Sequence, residues 1–207
     1  MNEMMRDASG TASAPDVVRE YMAVFDEVLK GIDPKDIATC ADILRKARDS
    51  GAMIYIGGNG GSASTATHLA NDLGKATKTS GMPPMRVVSM SDNVSWLTAL
   101  GNDEGYDRVF AGQMENFAKP GDVLIVISTS GNSGNLVRAV ELAKEVGVTS
   151  LGILGFKGGK LKDMVDASVW LPSPVGAYGP VETAHSLVVD LIKECLMADR
   201  PAGSPKA

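Results

Sequence analysis

The stretch that decides the fold is residues 121–135, GDVLIVISTSGNSGN, in which five consecutive aliphatic residues lead into a loop of serine, threonine, glycine and asparagine. The aliphatic run does not alternate with polar residues, which is typical of a strand covered on both faces in a parallel sheet. A helical pattern follows directly, over residues 132–146. The segment therefore predicts a strand, a polar loop at its carboxyl end, and a helix.

Short apolar runs of the same kind recur after Gly51, separated by helical patterns. The runs are MIYIG (53–57), MRVVSM (85–90), DVLIVIS (122–128), TSLGILG (149–155) and ASVWLP (167–172). The helical candidates between and after them cover residues 62–73, 94–100, 106–117, 132–146 and 181–197. Two amphipathic helices, from about Asp16 to Gly31 and from Asp36 to Gly51, precede the first strand. This order predicts an α/β protein, a three-layer sandwich with a parallel sheet.

Composition excludes several classes of protein. Hydrophobic residues make up 44% of the 207 residues and charged residues 22%, which is typical of a globular domain. The net charge of −5 and the lack of a Lys/Arg run argue against a nucleic-acid partner. No apolar stretch has the length of a membrane span, and residues 1–14 have no hydrophobic signal region. We expect one domain over residues 15–198 with mobile ends at 1–14 and 199–207, located in the cytoplasm, with Cys40 and Cys195 as free thiols.

The first strand ends in a glycine-rich loop, GGNGGSAS, over residues 57–64. Gly60 and its neighbours let a ligand approach the backbone around Asn59, and Ser62 opens a helix whose free N–H groups favour an anion. An ordinary tight turn explains the same glycines. The loop matches neither a P-loop nor a GxGxxG motif, so no nucleotide cofactor is expected.

A second loop, at the end of the strand in residues 122–128, carries four hydroxyl groups within six residues: Ser128, Thr129, Ser130 and Ser133. Hydroxyls and helix-end amides that converge on one point can hold a phosphomonoester without a lysine. Helix capping accounts for one or two of these side chains and not for all four. Because parallel sheets bind ligands at the carboxyl ends of their strands, the two loops together predict a site for a small phosphorylated molecule.

A histidine and three carboxylates form a third candidate group. His68 and Asp72 stand four residues apart, on one face of a predicted helix, and Glu182 and Asp190 stand about two turns apart on the last helix, with His185 between them. Nitrogen and oxygen ligands of this kind suit zinc, manganese or iron. The alternative is that the acids are solvated helix-surface residues and that the two histidines are structural.

Four segments, in this order and at this spacing, resemble the sugar isomerase (SIS) domain family, and within it the phosphoheptose isomerases. They are GNGGSASTATHLANDL (58–73), LTALGNDEGYDRVFAGQ (97–113), GDVLIVISTSGNSGNLVRAVELA (121–143) and GPVETAHSLVVDLI (179–192). The resemblance implies a five-stranded parallel sheet, a homotetramer built partly on the N-terminal helices, and sites at subunit interfaces. It implies conversion of sedoheptulose 7-phosphate to D-glycero-D-manno-heptose 7-phosphate through an enediol.

The resemblance also implies roles for individual residues. Phosphate binding falls to the serines and threonine of the second loop, and the implied sugar contacts are Asn59, Gly60, Ser62, Asp103 and Glu182. Relatives carry a His and a Glu four residues apart, then a Gln and a His eight residues apart, as a zinc and acid/base site. The matching positions here are His68, Asp72, Glu182 and Asp190, which makes them the implied metal ligands.

Three of those four positions depart from the family pattern. The implied acid/base residues are Asp72 and Asp190, with His185 as a substitute for Asp190 from the neighbouring turn. A carboxylate in place of an imidazole lacks a group that titrates near neutrality. We therefore expect a divergent isomerase with a more acidic, metal-binding site. The alternative is a non-catalytic protein of the same fold that binds a phosphosugar or a protein partner.

Overall fold

The computed structural model describes residues 13–78 and 82–199. Its strands are β1 (Met53–Gly58), β2 (Arg86–Ser89), β3 (Val123–Ser128), β4 (Thr149–Leu154) and β5 (Ala167–Trp170). Its α-helices are α1 (Ala14–Lys30), α2 (Pro34–Ser50), α3 (Gly61–Asn71), α4 (Val94–Asp103), α5 (Ala111–Met114), α6 (Gly134–Val146), α7 (Gly159–Met164) and α8 (Tyr178–Met197). A π-helical segment, Asp72–Ala76, continues α3, and a short 3-10 helix covers Tyr106–Arg108.

The five strands form one parallel sheet in the order β2-β1-β3-β4-β5. The predicted fold class is confirmed. The chain runs outward from β1 to β2 and then returns to β3 on the other side of β1. The loops after β1 and β3 therefore lead to helices on opposite faces of the sheet. Open parallel sheets form a ligand crevice between two such loops.

Helices cover both faces of the sheet because alternate side chains of each strand point to opposite faces. In β3, Ile125 and Ile127 pack in the core formed with α1, α2, α3 and α8. Leu124 and Val126 pack in the second core, with α4, α5, α6 and α7. The unbroken aliphatic run of β3 is therefore buried on both sides.

The two N-terminal helices follow local capping signals. Ser13 precedes α1, which begins two residues before the predicted start, and Asp33 caps α2 by accepting a hydrogen bond from the Lys35 amide at 2.9 Å. Gly51 ends α2 in the left-handed conformation, at φ +68°. In the part of the chain that the structure describes, no helix is both long enough and apolar enough to cross a bilayer.

The predicted helix over residues 106–117 is wrong in extent. It is divided between the 3-10 segment and the single-turn helix α5. Residues 109–114 are all buried. Six consecutive buried positions leave no solvent-facing stripe, so a regular amphipathic helix does not fit here.

His185 lies in the core and not at a ligand-accessible surface. Its side chain has no exposed area, and neither ring nitrogen makes a well-formed hydrogen bond within the described residues. Burial lowers the pKa of the imidazole to about 4, and the nearby Leu154 carbonyl offsets only part of this effect. The geometry therefore gives no support to the catalytic role predicted for His185. Cys40 is likewise buried, and burial raises the pKa of its thiol to about 12.

Replacing His185 tests this assignment through stability. The folded-state pKa near 4 lies below the ordinary value of 6.5, so the unfolded chain binds the proton more readily between these pH values. In the wild type, the neutral His185 should cost no unfolding free energy above pH 6.5. The free energy of unfolding should then fall by about 3 kcal/mol as the pH falls towards 4, because the unfolded chain binds the proton first. His185→Leu should lack that part of the pH dependence in urea-unfolding measurements at pH 7 and pH 4.5. The same loss of unfolding free energy in both proteins would contradict the assignment.

Candidate functional site

The loops after β1 and β3 meet around a cavity of about 230 Å³. Their meeting follows from the sheet, because β1 and β3 are neighbours and their carboxyl ends lie at the same edge. The residues that line the cavity are Asn59, Ser62, Ile127, Ser128, Thr129, Ser130, Ser133, Tyr178 and Glu182. The structure thus brings together seven predicted substrate-binding residues from two loops and a helix, along with Ile127 and Tyr178.

Asn59 is held in place by two side chains that the sequence analysis missed. Its amide exchanges two hydrogen bonds with the Asn135 amide, at 3.0 and 2.9 Å, and its oxygen accepts a third from the Tyr106 hydroxyl at 2.9 Å. Gly60, at φ +55°, turns the chain from β1 into α3. These partners are separated from Asn59 by 47 and 76 residues, so no local pattern reveals them.

The hydroxyl groups of the second loop are only partly used by the loop itself. Ser128 Oγ accepts from the Gly131 amide at 3.0 Å and Ser130 Oγ from the Asn132 amide at 3.3 Å, which leaves each hydroxyl proton available to a ligand. Ser133 stands at the N-cap of α6 but makes no capping bond with its side chain. Thr129 Oγ1 is buried and has no hydrogen-bond partner within the described chain. The loop therefore offers donors to an anion at the amino end of a helix.

Gly131 fixes the shape of this loop. Its φ of +66° favours glycine, and a Cβ at this position would overlap the Gly158 carbonyl group. The Gly131 carbonyl also accepts a hydrogen bond from the Leu161 amide at 3.0 Å. The loop after β3 is thus packed directly against the start of α7.

Glu182 lies between this cavity and a second one. Its carboxylate covers Gly61, where an added Cβ would lie 2.6 Å from Glu182 Oε2. The second cavity, of about 370 Å³, is lined by Gly61, Ser64, Thr65, His68, Glu182, Thr183 and Ser186. The two cavities therefore share Glu182, with hydroxyl groups on one side and His68 on the other.

A possible metal site lies beyond the second cavity. His68, Asp72 and Asp190 each offer one ligand atom, and the three atoms lie within 4.8 Å of one another. His68 Nε2 is 3.4 Å from Asp72 Oδ2. Asp72 begins the π-helical segment and is only 8% exposed, and its Oδ2 accepts no hydrogen bond within the described residues. One nitrogen and two carboxylate oxygens fit a divalent cation.

Glu182 does not join this group, although it was predicted as a metal ligand. Its carboxylate covers the start of α3, and His68 lies about two helical turns further along that helix. Instead Lys193, which the sequence analysis did not consider, contacts two members of the group: its Nζ lies 3.0 Å from Asp190 Oδ1 and 3.9 Å from Asp72 Oδ2. Lys193 follows Asp190 by three residues, so the two side chains lie on the same face of α8, and this spacing could have predicted their contact.

Asp103 is not brought to either cavity. It is exposed at the end of α4, on the opposite face of the sheet from α3 and α8, and accepts a hydrogen bond from Asn102 at 2.7 Å. Another cavity, about 610 Å³, lies beside edge strand β2 and is lined by none of the predicted site residues. Its lining is mainly apolar and includes no residue of the loops after β1 and β3, so it does not suit a phosphorylated ligand.

A parallel sheet with glycine-rich and hydroxyl-rich loops at its crevice defines an α/β protein with a polar ligand site at the carboxyl edge of its strands. The family model described as "SIS domain" matches residues 20–155. The chain is 45% identical over 155 residues to the phosphoheptose isomerase of Nitratiruptor sp., covering 74% of this chain and 81% of the relative. It is 34% identical over 188 residues to that of Geotalea daltonii, covering 88% and 95%.

A solved structure of phosphoheptose isomerase from Neisseria gonorrhoeae superimposes with a TM-score of 0.81 at 29% identity, covering 90% of this chain and all of that chain. The chain therefore belongs to the SIS domain family and, within it, to the phosphoheptose isomerases. The predicted family is confirmed.

Replacing Thr129 tests whether the loop after β3 binds the phosphate group of a ligand. Thr129→Val removes a buried hydroxyl that has no partner in the loop, so the fold should keep its stability, whereas Kd for a sugar phosphate should rise about tenfold or more. Thr77→Val is the matched control, because the Thr77 hydroxyl donates to the Leu73 carbonyl at 2.6 Å, away from the cavity. It should lose stability and keep the Kd. Calorimetric titration and thermal unfolding of both variants measure the two effects, and an unchanged Kd in Thr129→Val would exclude the assigned role.

Proposed function

We propose that the protein interconverts sedoheptulose 7-phosphate and D-glycero-D-manno-heptose 7-phosphate, as an aldose–ketose isomerase. The observation that carries this proposal is the position of Glu182 between a hydroxyl-lined cavity and the cavity that contains His68. One end of the site suits a phosphate and the other offers groups that move protons. The relatives are named as isomerases, so the alternative of a non-catalytic binding protein is not favoured.

The phosphate group binds to the loop after β3. Thr129 and Ser133 have side-chain hydroxyls that the loop does not use, and the amino end of α6 adds partial positive charge. The lining residues include no lysine or arginine. Binding therefore relies on hydroxyl and amide donors, each of which a phosphate oxygen can accept.

The sugar chain runs from this loop past Asn59 and Glu182. The Asn59 amide is oriented by Asn135 and Tyr106, so its direction is set before substrate arrives. Glu182 accepts hydrogen bonds from sugar hydroxyls. A carboxylate at this position also repels a misplaced phosphate, which favours binding with the phosphate at the loop after β3.

Isomerisation requires two proton movements. A base removes a proton from C1 of the ketose and returns it to C2, while a hydroxyl proton moves from O1 to O2 as the enediol forms and collapses. We assign the carbon-bound proton to Asp72, whose buried Oδ2 accepts no hydrogen bond within the described residues. Asp190, with a side chain 46% exposed, serves the oxygen atoms and exchanges with solvent.

His68, Asp72 and Asp190 would hold a divalent metal ion, with zinc as one candidate beside manganese and iron. A bound ion would supply Lewis-acid polarisation of the sugar carbonyl. Glu182 is not among the three residues whose ligand atoms lie within 4.8 Å of one another, and its contribution is to the sugar hydroxyls.

A homotetramer with sites at subunit interfaces completes the proposal. Val17, Val18, Tyr21 and Met22 of α1 are exposed, as is Tyr178 at the start of α8 beside the phosphate loop. Their burial against another subunit would remove this apolar surface from water. A cytoplasmic location stays a prediction.

Turnover in D₂O tests the proposed reaction. Purified protein incubated with sedoheptulose 7-phosphate should form the aldose with solvent deuterium at C2, detected by NMR and mass spectrometry. Asp72→Asn should lower the rate by about 100-fold or more, because it removes the base. Asp163 is an exposed acid on α7, at the opposite face of the sheet, so the control substitution Asp163→Asn should leave the rate unchanged. Binding of the sugar phosphate without conversion or exchange would refute catalysis.

A further inference from the structure

Lys193 places a positive charge inside the His68–Asp72–Asp190 group. Its ammonium lies 3.0 Å from Asp190 Oδ1 and 3.9 Å from Asp72 Oδ2, and the side chain is only 20% exposed. The ammonium donates a hydrogen bond to Asp190 Oδ1. The two carboxylates therefore share a cation that belongs to the chain itself.

Asp72 needs such a charge. It is 8% exposed, its Oδ2 has no hydrogen-bond donor within the described residues, and the basic groups that lie close to it there are His68 at 3.4 Å and Lys193 at 3.9 Å. A buried carboxylate that lacks a counter-charge is strongly destabilising. Asp190 also contributes negative charge at this point. The ammonium thus stabilises a pair of carboxylates that would otherwise repel each other.

The Lys193 ammonium also has an alternative partner at the protein surface. Its Nζ lies 3.3 Å from Glu194 Oε1, and the Glu194 side chain is 66% exposed. Four methylene groups let the ammonium leave Asp72 and Asp190 while it keeps this second partner at the surface. Departure therefore leaves no unpaired lysine in a buried position.

We propose that Lys193 is a resident counter-cation that competes with a divalent metal ion for Asp72 and Asp190. The metal ion enters this group only when the ammonium moves away towards Glu194. The competition lowers the affinity of the group for metal, and in the metal-free protein the ammonium stabilises the two neighbouring carboxylates. This inference rests on the proposed metal group, but it does not depend on whether the protein turns over a sugar.

Metal binding by Lys193→Met and Lys193→Arg tests the competition. The protein is stripped with a chelator and titrated with Mn²⁺ at constant pH, with the free ion followed by electron paramagnetic resonance, and Zn²⁺ is measured by equilibrium dialysis. Removal of the charge in Lys193→Met should tighten metal binding by about tenfold or more, whereas Lys193→Arg, which keeps the charge, should bind as weakly as the wild type. The substitution Asp190→Asn should weaken metal binding when it is added to the wild type, to Lys193→Met or to Lys193→Arg.

A second readout separates competition from a general structural effect. Metal-free Lys193→Met should unfold at a lower temperature than metal-free wild type, and saturating Mn²⁺ should remove this difference. If Lys193→Met binds metal no more tightly than the wild type, or if Lys193→Arg gains as much affinity as Lys193→Met, the proposal is wrong. The absence of metal binding in all three proteins would also overturn it.

Discussion

The parallel pairing of β1 with β3 is the contact on which the site depends. Gly57 and Gly58 of β1 lie beside Val126 and Ile127 of β3, so the two strands end at the same level and their loops leave the sheet side by side. In the sheet, β2 and β3 lie on opposite sides of β1, so the loops after β1 and β3 lead to opposite faces of the sheet and leave a crevice between them. The cavity between them follows from strand order, and the residues in the loops decide what it binds.

Helix α8 supplies the second half of the site. It packs against α2 and α3, and two stripes of side chains run along it. Val181, His185, Val188 and Ile192 form the stripe that faces the core. Glu182, Ser186, Asp190 and Lys193 form the neighbouring polar stripe, at spacings of three or four residues. One helix thus brings a proposed substrate contact, a proposed proton carrier and the proposed counter-cation to α3 and the π-helical segment, which carry His68 and Asp72.

The sequence predicts the sheet and both loops because each is encoded locally: aliphatic runs mark the strands, and glycine and hydroxyl side chains mark their carboxyl ends. It predicts less well where geometry depends on distant contacts. Nothing near Asn59 indicates that Tyr106 will orient it. His185 is a different case, since its periodicity with Val181 and Val188 places it on the apolar stripe of α8, and that spacing in the sequence already favours a buried histidine.

In the proposed mechanism, a single sugar phosphate extends from the loop after β3 to Asp72 and Asp190. A crystal structure with the heptitol 7-phosphate, in which the carbonyl is reduced and no reaction can occur, measures this directly. We expect the phosphate at Ser128, Thr129 and Ser133, and the C1–C2 end within hydrogen-bond distance of Asp72 or Asp190. A phosphate bound elsewhere, or a C1–C2 end directed away from both carboxylates, would contradict it.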